Sequence, residues 1–149
     1  MLIDTQLAFD GPTFGAITTT RDSLNTLDMG VARDVSIGNP LTLLILSNRL
    51  FAGGTSVQIA VQGSDVEGSG YVTMAQSVAI TLAQMNNARG LVFPIDLPRT
   101  VHGAQAIPRY LKLVYTVVGT FTAGAVQAYL IQHRDDMIYY PSGFSTANI

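Results

Sequence analysis

The stretch PRYLKLVYTVVGTFTAGAVQAYLIQ, residues 108–132, alternates apolar and polar side chains in two runs on either side of a GTFTAG segment. In the first run Leu111, Leu113 and Tyr115 fall on one face, and Lys112 falls on the other. A period of two is typical of a half-buried strand, because successive side chains of a strand point to opposite faces. The stretch therefore predicts two antiparallel strands joined as a hairpin, and it carries no catalytic side chain.

Four other segments carry signals for short strands. The segment LTLLILS, residues 41–47, is apolar on both faces, which favours a strand that is covered on both sides. The segment VQIAVQG, residues 57–63, alternates cleanly, with its valines and isoleucine predicted to point inward. In LVFPIDLP, residues 91–98, Pro94 interrupts the ladder and indicates an edge strand or a bulge. Residues 71–85 fit either a helical face or two short strands, and their serine and threonine content favours the strands.

About eight short strands with turn residues between them predict an all-β chain, an antiparallel jelly roll or β-sandwich in a single domain. Residues 1–20 are predicted to form an extended N-terminal arm, because Gly11, Pro12 and Gly15 break any helical period. The jelly-roll domain is expected over residues 21–134, and a C-terminal tail over residues 135–149.

The composition indicates how the chain is expected to associate with other proteins. Hydrophobic residues make up 48% of the sequence and charged residues only 12%, about half the usual share of charge. Such a chain is expected to cover apolar surface by docking on a partner or by self-association, with a dimer favoured over a trimer. The alternative is a soluble domain whose surface is rich in serine, threonine and glutamine.

Charge and hydropathy argue against several other classes. The net charge of −2 offers no basic field for nucleic acid. No apolar run approaches the roughly 18 residues of a membrane-spanning helix, so no membrane partner is expected. The N-terminus lacks the basic region of a signal peptide. The absence of cysteine excludes disulfides and thiolate metal sites.

The side chains that usually carry chemistry are few and scattered. The two histidines are His102, in a loop, and His133, at the predicted end of the last strand near Asp135. Asp65 and Glu67 lie in a glycine-rich loop that lacks the regularly spaced oxygen ligands of a calcium site. No nucleophile elbow and no phosphate-binding glycine motif is present. We therefore expect no catalytic residue, no metal site and no cofactor.

Both ends of the chain carry apolar side chains that an isolated sandwich has little room to bury. Tyrosine and methionine are favoured at interfaces, and exposed aromatics at a chain end are costly unless something covers them. The alternative is that the tail folds back over its own domain. The residues expected at a subunit interface are Leu2, Ile3, Leu7, Phe9, Phe14, Met137, Tyr139, Tyr140 and Phe144.

With these segments in view, the chain resembles the capsid cement, or decoration, proteins of tailed bacteriophages, of the type found in the Bordetella phage. The matching pieces are MLIDTQLAF (residues 1–9), LDMGVARDVSIGNPL (27–41), RYLKLVYTVVGTFTAGAVQAYLI (109–131) and YPSGFS (140–145). The resemblance implies a jelly roll on the outer surface of the virion head that bridges neighbouring copies of the major capsid protein. It also implies a structural protein without enzymatic activity.

Two other functions are weighed against this one. A jelly roll that recognises carbohydrate or a host surface needs aromatics and carboxylates on its loops, and here the loops offer only Tyr71, Asp65 and Glu67. A small hydrolase on a sandwich scaffold lacks a nucleophile–base pair.

Overall fold

The structure of the protein, a computed structural model, describes residues 4–30, 41–47, 49–87, 91–96 and 108–131. These residues form strands, one short α-helix and one 3-10 turn. The elements in chain order are the 3-10 turn Thr5–Leu7, β1 Ala8–Ala16, β2 Arg21–Asp22, β3 Leu27–Asp28, β4 Thr42–Ser47, β5 Ser56–Ser64, β6 Val72–Gln76, β7 Ile80–Thr81, α1 Leu82–Asn87, β8 Leu91–Asp96, β9 Tyr110–Val118 and β10 Ala125–Ile131.

Two antiparallel sheets pack face to face as a sandwich. Sheet A has the strand order β1-β10-β4-β8, and sheet B has the order β2-β9-β5-β6, with β3 also on β9 and β7 also on β5. We count β2 with β3 as one interrupted strand, and β6 with β7 as another. The chain then crosses between the sheets at every connection except the one from β5 to β6. This path is the jelly roll, and the predicted fold class is confirmed.

The two strands of the opening stretch exist, but they do not form a hairpin. Strand β9 pairs with β5 from Tyr110–Ser64 to Val118–Ser56. Strand β10 lies in the other sheet, between β1 and β4. The connecting residues 119–124 cross from one sheet to the other and place Phe121 in the core, whereas the tip of a hairpin would lie in solvent. The predicted hairpin is therefore wrong, because alternation identifies the buried face of a strand and not its partner.

The main core lies between the sheets. Strand β9 contributes Leu111, Leu113 and Tyr115, each fully buried. In β5 the alternate residues Val57, Ile59 and Val61 are buried, and Gln58 and Gln62 on the opposite face are partly exposed. The inward face predicted for residues 57–63 is confirmed.

Sheet A is apolar on both faces at β4. Leu43 and Ile45 belong to the inter-sheet core. Leu44 points the other way and is only 2% exposed, in a second cluster with Tyr129 and Ile131 of β10. The expectation that β4 is covered on both sides is confirmed.

The ambiguous segment 71–85 is half strand and half helix. Strands β6 and β7 fulfil the two-strand prediction as far as Thr81, but helix α1 begins at Leu82, where a strand was expected. The helix begins there because Gln84 N donates to Thr81 Oγ1 (3.3 Å) and Thr81 N donates to Gln84 Oε1 (2.9 Å). This reciprocal pair is a capping box, and Met85 then packs into the core.

The position of Pro94 agrees with the prediction. Strand β8 ends the order of sheet A, next to β4, and Pro94 lies opposite Leu44. The register between β4 and β8 shifts between Ile45 and Leu46. An edge position suits a residue that has no N–H to donate to a ladder. In the described residues no helix is long and apolar enough to span a membrane.

Part of the predicted N-terminal arm lies within the sandwich. Residues 8–16 form β1, which pairs with β10 in an irregular register. Phe9 is 1% exposed and Leu7 packs against the same core. Residues 1–3 of the predicted arm and the whole predicted tail, residues 135–149, lie outside the described residues.

Candidate functional site

A buried carboxylate joins the two sheets. Asp10 of β1, in sheet A, is 0% exposed. It accepts hydrogen bonds from Tyr115 Oη of β9 (2.6 Å), from Arg21 Nη1 of β2 (3.0 Å) and from the backbone N–H of Leu24 (3.2 Å). Each donor belongs to sheet B or to the loop that follows β2. We call Asp10, Arg21 and Tyr115 the cross-sheet clamp.

The guanidinium of Arg21 is held on several sides. Its Nε donates to the carbonyl of Ala16 (2.8 Å), and its carbon Cζ lies 4.9 Å from the centre of the Tyr115 ring. A Cβ at Gly15 would lie 2.5 Å from Arg21 Nη2 and 2.7 Å from Asp10 Oδ1. Glycine at position 15 therefore makes room for the ion pair against β1.

The clamp is suited to a structural role, because its carboxylate is closed to solvent and the Arg21 side chain is only 21% exposed. Burial, the charge of Asp10 and the hydrogen bond to Asp10 raise the pKa of Tyr115 well above its usual value. The phenol therefore stays protonated and donates to the carboxylate. A carboxylate with three protein donors and no exposed surface offers no acceptor to a substrate. Sequence reasoning missed Asp10 because it assigned this residue to an arm; the available signal was a charged residue between Phe9 and Gly11 in a chain poor in charge.

The raised pKa of Tyr115 predicts a loss of stability in alkali. In the unfolded chain Tyr115 loses its proton near pH 10, but in the folded chain it keeps the proton to higher pH. The stabilisation is therefore complete below pH 10 and decreases above it, by up to about 1.4 kcal/mol per pH unit. Urea unfolding measured between pH 8 and pH 11.5 should show this decrease. It should be smaller in Tyr115→Phe, and equal slopes in the two proteins would contradict the assignment.

The other described ion pairs lie on the surface of sheet B. Arg109 donates to both carboxylate oxygens of Asp28, through Nε (2.7 Å) and Nη2 (2.8 Å). Lys112 Nζ lies 2.7 Å from Asp22 Oδ2. The hydrogen bonds from Arg109 and from the backbone of Gly30 lower the pKa of Asp28 to about 2. The charges of these side chains already neutralise each other, so they offer little free charge to a binding partner.

The titration of the Asp28 carboxylate should show directly whether its ion pair with Arg109 forms. We expect its NMR titration midpoint near pH 2, below the usual 3.8, and a return towards 3.8 in Arg109→Gln. Since the pKa is lowered on folding, the ion pair acts above pH 3.8 and is lost as the pH falls towards 2. A midpoint near 3.8 in the unaltered protein would show that the ion pair does not form in solution.

The loop residues considered for carbohydrate binding do not converge on an open site. Asp65 accepts a hydrogen bond from the backbone N–H of Arg109 (3.2 Å), and Lys112 Nζ lies 4.4 Å from the centre of the Tyr71 ring. Glu67 is exposed. No group of three or more metal-ligating side chains occurs in the described part of the chain. His102 and His133 lie outside it.

The residues predicted to form an interface have different positions. We correct the assignment of Phe9, because it is a buried core residue, whereas Leu7 is half-buried and packs against the same core. Phe14 lies in β1. The others, Leu2, Ile3, Met137, Tyr139, Tyr140 and Phe144, lie outside the described residues. The large apolar side chains that the described structure exposes are instead Leu24, Leu50, Val66, Val72, Val78 and Val118.

Comparison with known proteins gives one family. The family model Bbp16 matches residues 13–130, which run from within β1 to within β10. This is the family of Bordetella phage protein 16, a capsid cement or decoration protein. No curated protein matches the chain.

Proposed function

The chain belongs to the Bbp16 family of phage capsid cement proteins, and on this basis we propose that it binds the outer surface of a phage head and bridges neighbouring major capsid proteins. The observation that carries the proposal is the family match over most of the sandwich. A family of structural phage proteins places the chain in the virion. The proposed role needs no enzymatic activity.

The physical requirements of a cement protein agree with this chain. Such a protein stabilises the shell through the area of each contact and through the number of copies that are bound. A standard interface buries about 800 Å² per partner. Several contacts on one rigid lattice gain avidity, because each bound contact raises the effective concentration of the next. A domain that transmits force between subunits also has to be stiff. The cross-sheet clamp supplies stiffness by tying sheet A to sheet B through hydrogen bonds to a buried charge.

We place the contacts with neighbouring subunits at the two chain ends. The N-terminal contribution comes from Leu2, Ile3, Phe14 and the exposed part of Leu7, since Phe9 is buried in the core. The tail contributes Met137, Tyr139, Tyr140 and Phe144. Support comes from the apolar character of both ends and from the low charge of the chain, which reduces dependence on salt-sensitive ion pairs.

Self-association is a further part of the proposal, with a dimer favoured over a trimer. The low charge of the chain supports it. The apolar outer face of β4 does not add support, because Leu44 is already buried within a single chain. Sedimentation equilibrium at micromolar concentration is expected to show dimers, and a purely monomeric protein would count against them.

The cement function is tested with heads assembled without the protein. Purified protein is added to such heads, and the bound amount is measured after sedimentation. We expect saturable binding and a rise in the temperature at which the heads break. Heads that bind no protein, or that break at the same temperature when fully occupied, would contradict the proposal.

A further inference from the structure

A surface cleft of about 520 Å³ opens where β1, the residues after β4 and the crossing segment 119–124 meet. This volume is within the range of small ligand sites, about 300–1,000 Å³. We call it the Arg49 cleft. It is lined by Thr13, Ala16, Thr18, Arg49, Thr122, Ala123, Gly124 and Ala125.

Arg49 differs from the other basic side chains that the structure describes. Arg21, Arg109 and Lys112 each form an ion pair with an aspartate. Arg49 is exposed, and its guanidinium makes no hydrogen bond or ion pair with any described residue. The described lining contains no aspartate or glutamate that could neutralise it. The cleft therefore presents an unsatisfied positive charge.

Three threonines share the lining of the cleft with Arg49. Thr13 and Thr18 are exposed in the lining, and Thr122 Oγ1 lies 3.3 Å from the carbonyl of Ala52, to which it donates. A guanidinium presents five N–H donors in a fork that matches the two oxygens of a carboxylate. The exposed hydroxyls of Thr13 and Thr18 add donors in the same lining, whereas the proton of Thr122 Oγ1 is used by Ala52. The chemistry of the lining thus favours a carboxylate.

The backbone on one side of the cleft, at residues 17–18 and 121–124, is fixed by contacts within the chain. The backbone of Ile17 donates to Gly124 O (3.1 Å), and Phe121 N donates to Thr18 O (3.0 Å). The Phe121 ring packs edge-on against Phe51, with centroids 5.5 Å apart. Gly124 has φ +138°, and a Cβ there would collide with the Phe51 ring. This fixed backbone reduces the conformational freedom that is lost when a ligand binds.

We propose that the Arg49 cleft receives an aspartate or glutamate side chain of the capsid partner. The inference rests on the proposed function and adds a specific polar contact to the apolar contacts at the chain ends. One unpaired cation suits a single carboxylate. A nucleic acid would need several cations along its backbone, and the chain has a net charge of −2.

Binding to heads that lack the protein tests the inference. The variants are Arg49→Gln, Arg49→Glu and, as a matched control, Arg109→Gln, which removes an exposed arginine that already has a partner. Arg49→Gln is expected to weaken binding about tenfold and to reduce its salt dependence, and Arg49→Glu should weaken it further. Arg109→Gln should bind like the unaltered protein. The melting temperature of isolated Arg49 variants should not change, because the side chain is exposed.

The outcomes distinguish a failure of the proposed Arg49 contact from a failure of the proposed cement function. If the unaltered protein binds heads and the Arg49 variants bind equally well, the cleft has no such role and the proposed function stands. If Arg109→Gln weakens binding as much as Arg49→Gln, the effect is general electrostatic attraction and the inference is overturned. If the unaltered protein does not bind at all, the proposed function fails and the inference fails with it.

Discussion

Replacing Asp10 with alanine is expected to lower the free energy of unfolding by about 3–5 kcal/mol, the usual loss when one partner of a buried ion pair is removed. The substitution leaves Arg21 without its carboxylate partner and the buried hydroxyl of Tyr115 without its acceptor. It also removes the side-chain hydrogen bond that joins β1 to β9 across the sandwich. Urea unfolding at neutral pH measures the change.

The matched control is Asp22→Ala, which removes an exposed carboxylate whose side chain is 56% accessible. Because surface ion pairs contribute about 0–1 kcal/mol, this variant should unfold almost like the unaltered protein. Tyr115→Phe removes a single hydrogen bond to a charged group and should fall between the two, at about 1.5–3 kcal/mol. Equal, small losses in Asp10→Ala and Asp22→Ala would show that the clamp contributes nothing to the fold.

Deleting residues 135–149, or changing Tyr139, Tyr140 and Phe144 together to alanine, is expected to weaken head binding by about three orders of magnitude or more. An aromatic anchor in an interface contributes roughly 2 kcal/mol, and a factor of ten in affinity is about 1.4 kcal/mol. The inter-sheet core should remain intact, because its members lie between Phe9 and Leu130. Binding isotherms on heads that lack the protein give the affinity, and circular dichroism checks the fold.

Heads assembled with the truncated protein should carry little of it and should break at a lower temperature. The control is a change of Val66, an exposed apolar residue in the loop after β5, to serine. It should leave the occupancy unchanged. If the truncated protein decorates heads at full occupancy and protects them equally, the tail packs on its own domain, and the proposal that it contacts neighbouring subunits is wrong.

The sequence predicted which face of a strand is buried better than it predicted which strands pair with each other. The alternation at Val57 and Ile59 and the continuous apolar run at Leu43 and Leu44 reported burial directly, because side-chain polarity follows the local environment. Whether β10 returns beside β9 or crosses to the other sheet depends on the path of residues 119–124. The alternation of apolar and polar residues along the two strands is the same in both cases. The buried Phe121 is the local residue that distinguishes them, since a hairpin tip would leave it in solvent.

The short helix and the clamp show two further limits. Helix α1 could have been found from the Thr81-to-Gln84 capping-box spacing, which is a local signal. The clamp could not, because Asp10 and Tyr115 are 105 residues apart and meet only when the sandwich closes. The Arg49 cleft is similar, since its threonines come from β1, the loop after it and the crossing segment.

The most direct test of the cement function is a cryo-electron microscopy reconstruction of heads assembled with and without the protein. We expect additional density on the outer surface of the decorated heads, into which the two-sheet jelly roll fits, and contact between each copy and at least two neighbouring capsid subunits. Density inside the shell, or a jelly roll that contacts a single subunit and bridges none, would contradict this function.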